Sequence, residues 1–141
     1  MAKLRADIKN YKKAFTTHFQ AYKSWNGGSH NSKRIIMCYC VECGLKCLIM
    51  QDNKICFASQ ADPTTAKALG SHDFRVLLNA VKKAGIYRFE NFQTEYDETV
   101  TPENYHQLCR YHINVKDGDM EPVNKYDRTL DEIAEWLKEV I

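Results

Sequence analysis

Proline and glycine are scarce in this chain, three and six among 141 residues, and no internal repeat or low-complexity tract breaks it into parts. The opening MAKLRADIKNYKK lacks the apolar core of a secretory signal, so a reducing, cytoplasmic setting is expected. Four of the six cysteines, Cys38, Cys40, Cys43 and Cys47, crowd into one stretch, where helical neighbours do not pair as disulfides. No apolar run is long and uncharged enough to cross a bilayer, which excludes a membrane span. The serine elbow, the Walker loop, the dinucleotide fingerprint and the paired-carboxylate signature are also missing, so the familiar hydrolase and nucleotide-fold motifs offer no entry to function.

What the chain has in abundance is one apolar stretch, Ile35 to Met50, in which Glu42 and Lys46 are the only charged residues. It is too long for a typical strand and never alternates. Its two charges stand four residues apart in the order that supports a helix. A central core helix follows, with the rest of the chain wrapped around it. At 44% apolar residues, the chain can bury about two-thirds of its unfolded surface, and residues 1–141 read as one domain. Charge is distributed unevenly: residues 1–34 carry a net +7, residues 35–85 a net +2 and residues 86–141 a net −7. Such a dipole lets the first and last helices attract each other, or leaves a basic face for an anionic partner.

In chain order, Leu4, Ile8, Tyr11, Phe15, Phe19 and Tyr22 recur at helical spacing and predict an amphipathic helix ending near Ser24. The turn Asn26-Gly27-Gly28-Ser29 leads into a second helix that starts near His30 to Ser32 and stops at Asp52-Asn53. Ile55, Cys56 and Phe57 are expected to tuck inward. Asp62-Pro63 opens a short helix closed by Gly70; Ser71-His72-Asp73 caps the next, closed by Gly85. The aromatic, acidic segment 87–98 is read as a further helix. Thr101-Pro102-Glu103 begins another, residues 116–127 form a polar loop, and Thr129 with Glu132 reads as a capping box opening the last helix. The expected fold is all-α, an antiparallel four- to five-helix bundle without strands. The second helix has more apolar surface than one neighbour covers, which suggests a second subunit against it.

Candidate chemistry is sparse. Cys40, Cys43 and Cys47 share one helical face while Cys38 points away from it, so the four thiols do not close a metal site; they are read as packing residues, with neither metal nor cofactor expected. His72 beside Asp73 reads as part of a cap. His106 and His112 flank Arg110-Tyr111, bringing two imidazoles and a guanidinium into one short stretch able to bind phosphate and move protons. Lys9, Lys12 and Lys13, on the polar side of the first helix, are the candidate phosphate contacts for a nucleic acid.

Several motifs, taken together, resemble the HEPN domains of bacteria and archaea. The turn Ser24 to Gly28 followed by Tyr39-Cys40-Val41-Glu42-Cys43-Gly44-Leu45-Lys46-Cys47-Leu48-Ile49 is similar to that family's helix hairpin with its "VExxLKALL"-like run. Gly70-Ser71-His72-Asp73-Phe74-Arg75-Val76-Leu77-Leu78 is similar to its "GHDLxxLL", and Arg110-Tyr111 to its "RY". The resemblance implies an all-helical bundle that usually forms a homodimer. It also implies a place in toxin–antitoxin or defence systems, with nucleotide, RNA or a cognate operon-encoded protein as partner. Ribonuclease members place a histidine four to six residues after an arginine, and none of Arg5, Arg34, Arg75, Arg88, Arg110 or Arg128 has one at that spacing. The expectation is therefore a binding or regulatory module. The alternatives are a metal-independent ribonuclease toxin built on Arg110, His106 and His112, and a purely structural dimerisation domain.

Overall fold

The computed structural model describes residues 4–141. Helix α1 (Ile8–Lys23) begins at a reciprocal cap in which the Asp7 carboxylate accepts from the Asn10 amide and the Asn10 side chain accepts from the Asp7 amide. That cap sets the start four residues later than the apolar spacing suggests, and Leu4 is left 95% exposed. Ser29 caps α2 (His30–Asp52), and Gly27, at φ +71°, supplies the left-handed residue that the turn between them needs. After a single 3₁₀ turn at Ala58–Gln60 come α3 (Pro63–Leu69), capped by Asp62, and α4 (Phe74–Ala80), capped by Asp73. Helix α4 stops at Val81, with Lys82 in the left-handed region at φ +61°, rather than at Gly85. Ile55 packs on the core, but Cys56 and Phe57 face outward, Phe57 being 55% exposed.

The chain departs from the sequence expectation most between residues 87 and 127. Segment 87–98 is not a helix: β1 (Phe92–Gln93) and β2 (Thr99–Val100) pair antiparallel, Phe92 opposite Val100. Asp97, at φ +59°, turns the hairpin. Buried Phe92, opposite Val100, packs edge-on against Tyr105 and Tyr126, and this aromatic packing outweighs the helix-like spacing of Phe89 and Phe92. Helix α5 (Tyr105–Arg110) starts at Asn104, whose side chain accepts from the Thr101 amide. Helix α6 (Glu121–Val140) starts a full two turns before the Thr129 capping box, so Thr129 lies inside it. Val123 and Tyr126 are both 2% exposed and draw this otherwise polar stretch into the helix.

Helix α2 is the hub, touching α1, α4, α5 and α6. Its partners fix the directions. Phe15 meets Cys40 and Gly44, and His18 meets Tyr39, so α1 runs antiparallel to α2. Arg34 meets Asp127, Gly44 meets Leu137, and Gln51 bonds the Val140 carbonyl, so α6 runs parallel to α2. The fold is mostly helical, but one of its central pairs is parallel rather than antiparallel, and it includes a small hairpin. Eleven residues of α2 are buried within the single chain, and of its large apolar residues only Tyr39 is markedly exposed. The apolar surplus that suggested a second subunit is thus covered internally, leaving a homodimer resting on the resemblance alone.

Candidate nucleic-acid interface and acid–base cluster

Two sets of cations in the basic N-terminal third have different environments. One set is engaged with the acidic C-terminal third: Lys23 Nζ bonds Asp131 at 2.8 Å and also Glu135, and Arg34 Nε donates to Asp127 at 2.9 Å. These pairs fasten α1 and α2 to α6, which is the structural half of the charge dipole. The other set is Lys9, Lys12 and Lys13. All three are exposed, spaced i, i+3 and i+4 along one side of α1, and in no ion pair among the described residues. Helix α1 carries no acidic residue of its own to neutralise them.

A second cluster forms where α2 meets the approaches to α4 and α5. Glu42 Oε1 bonds His72 Nδ1 at 2.8 Å, and Glu42 Oε2 accepts from Lys46 Nζ at 3.3 Å. His72 is therefore a partner of the second helix rather than a cap; Asp73 alone caps α4, accepting from the Arg75 amide. His106 stands near both His72 and Arg110. Partial burial, then the Arg110 guanidinium and His72, hold its imidazole below the usual histidine range, with Glu42 opposing. His106 is accordingly neutral at neutral pH and able to accept a proton. Arg110, exposed at the end of α5, lies 5.3 Å over the Tyr111 ring. Spacing alone brings His106 and Arg110 together. His72 and Glu42, thirty residues apart, join them only through the fold.

His112 has a different set of neighbours. Its backbone is left-handed at φ +52°, and its Nδ1 lies 3.0 Å from the Asn31 side-chain amide. Asn31 Oδ1 accepts from Arg34 Nη1 at 3.1 Å. That bond turns the Asn31 NH₂ toward the imidazole of His112. His112 lines a cavity of about 580 Å³ with His30, Arg34 and Asn114, floored by Leu108, Val115 and Val123. Sequence reasoning placed His112 with His106. The turn that ends α5 carries it instead onto the first turn of α2.

Four of the six cysteines fill the core. Cys38, Cys40, Cys47 and Cys109 are buried, Cys40 donating to the Phe15 carbonyl at 3.7 Å. Burial raises the thiol of Cys43 to about 11 and that of Cys109 to about 12 and lifts Cys38 and Cys40 as well, so none of these four is a thiolate at neutral pH. Cys56 is the exposed thiol. Titration with a thiol-reactive chromogen should give one rapid equivalent in buffer and all six in denaturant; two or more rapid equivalents would contradict this packing. No three His, Cys, Asp or Glu side chains among the described residues gather as a metal site, and no helix there is long and apolar enough to cross a membrane.

No protein-family model, curated protein or solved structure matches this chain.

Proposed function

We propose that this chain is a HEPN-like helical binding module whose ligand is RNA, held by its phosphates on the basic side of α1. The observation that carries this reading is the exposed, unpaired trio Lys9, Lys12 and Lys13 on a helix without an acidic residue. Phosphate contacts of that kind supply most sequence-independent affinity for a single strand. The motif resemblance supports a defence or toxin–antitoxin setting, with a cognate protein as regulator or target. Filter binding of a labelled single-stranded RNA tests the reading. Replacing all three lysines by alanine should weaken binding by at least about tenfold; unchanged affinity would sink it.

A second reading, metal-independent RNA cleavage, is favoured by one arrangement: neutral His106 beside Arg110, with His72 oriented by Glu42. In this reading Arg110 holds the phosphate while one imidazole takes a proton and the other gives one. The same RNA, incubated with chelator and run on a denaturing gel, separates the two readings. Fragments that disappear with both His106→Ala and Arg110→Ala support cleavage, and intact RNA leaves the binding module.

A further inference from the structure

The turn between α1 and α2 holds the only asparagine of the chain that is followed by glycine, Asn26-Gly27. An asparagine side chain stands close to the backbone nitrogen of the next residue, and attack of that nitrogen on the side-chain carbonyl carbon closes a five-membered ring. Three things oppose the closure: a Cβ on the following residue, a hydrogen bond that occupies the attacking N–H, and a hydrogen bond or helical backbone that holds the side-chain amide away. None of them operates at Asn26. Gly27 has no Cβ. Neither the Gly27 N–H nor the Asn26 side chain makes a hydrogen bond among the described residues. Residues 26–28 are exposed and lie outside every helix and strand.

The other asparagines are restrained. Asn10, Asn31, Asn53, Asn91, Asn104 and Asn114 have their side chains in hydrogen bonds. Asn79 and Asn124 lie inside α4 and α6, where the next amide is committed to the helical ladder. Asp117-Gly118, which closes the same ring by loss of water, is restrained too, because the Gly118 amide donates to the Val115 carbonyl at 3.3 Å.

We propose that Asn26 is a site of spontaneous covalent modification, at which the chain turns a neutral side-chain amide into a carboxylate. Hydroxide takes the Gly27 amide proton, the nitrogen bonds to Asn26 Cγ, and the Cγ–Nδ2 bond breaks with release of ammonia to leave a succinimide. Water then opens the ring. Breaking the bond between Cγ and the Gly27 nitrogen gives aspartate on the original backbone. Breaking the bond between the Asn26 backbone carbonyl carbon and that nitrogen routes the chain through Cβ and Cγ, giving isoaspartate. One water is consumed and one ammonia released, with no oxidation or reduction. Isoaspartate lengthens a tight connection: Gly27 is left-handed at φ +71°, a Cβ on Gly28 would meet the Trp25 ring at 2.8 Å, and Ser29 caps α2 immediately after. The new carboxylate also stands beside the positive end of α2.

The test is to age the full-length protein in warm buffers of increasing alkalinity, map its peptides by tandem mass spectrometry, and label isoaspartate with an isoaspartyl-specific methyltransferase. The amide should be lost first at residue 26, faster as pH rises, with isoaspartate at the same position. Its rate should exceed that at any other asparagine, and that of isoaspartate formation at Asp117, by at least about tenfold. Asn26→Gln, which would have to close a six-membered ring, should slow the reaction at least about tenfold while keeping the native circular dichroism. A free peptide of residues 22–30 gives the unrestrained rate. The proposal is overturned by an Asn26 amide that survives in the folded chain while the peptide converts, by earlier loss at another asparagine, or by undiminished isoaspartate in Asn26→Gln. RNA binding by the α1 lysines plays no part in any of these readouts.

Discussion

Asp127→Ala should destabilise the fold by about 3–5 kcal/mol, because it strips the partner from a largely buried cation. Arg34 Nε donates to Asp127 Oδ2 at 2.9 Å, and the Tyr105 hydroxyl donates to Asp127 Oδ1 at 3.0 Å. Without the carboxylate, the Arg34 guanidinium keeps only its bond to Asn31, and the hydroxyl of the fully buried Tyr105 loses its carboxylate acceptor. The loss also reaches the aromatic stack, since Tyr105 lies 4.3 Å from Tyr126 between ring centroids. Tyr105→Phe removes one hydroxyl and leaves the ion pair, so it should cost only about 1 kcal/mol. Urea unfolding of the two variants checks the contrast. A loss under about 1 kcal/mol for Asp127→Ala would show that this network does not hold α2, α5 and α6 together.

Gly44→Val should be comparably damaging for the opposite reason, crowding. A Cβ at position 44 would lie 2.7 Å from both Leu137 Cδ1 and Phe15 Cδ2, the point where α1, α2 and α6 converge. Leu137 is 0% exposed and Phe15 3%, so neither has open space to retreat into. Glycine inside a helix ordinarily costs about 1 kcal/mol relative to alanine; here its missing side chain allows the three helices to approach. Alanine recovers that propensity but still meets both contacts, and valine adds two methyl groups, for a loss of about 3 kcal/mol. Leu137→Ala in the Gly44→Ala background should relieve the crowding, so the double variant should be more stable than the two single losses predict. A Gly44→Ala protein that is more stable than the native chain would contradict this close approach.

Local chemistry determined what could be read before the fold was seen. The boundaries of α2, the Asp62-Pro63 start and the Asp73 cap depend on residues within a turn of each other, and all three hold in the structure. The hub role of Ile35 to Met50 was legible because a stretch with two charges has to be buried nearly all round. The hairpin at 92–100 was not legible, since the contacts that decide it, Phe92 against Tyr105 and Tyr126, come from residues 13 and 34 positions further along the chain. The early start of α6 was hidden in the same way: Glu121, Asn124, Lys125 and Asp127 look like loop residues until Val123 and Tyr126 find the core. Of the candidate site, the α1 lysines and the His106–Arg110 pair could be read from helical spacing. The bond between Glu42 and His72 could not, because no periodicity links positions thirty apart. The parallel course of α6 beside α2 is likewise a property of the whole chain.

The central claim, that RNA phosphates lie along Lys9, Lys12 and Lys13, is tested most directly by the salt dependence of RNA binding. For a single strand, the slope of log affinity against log salt is about −0.7 per phosphate neutralised. The native chain should show a steep negative slope. Replacing the three lysines by alanine should flatten it by about 2. Binding that does not weaken with added salt, or a triple variant with the native slope, would contradict the account.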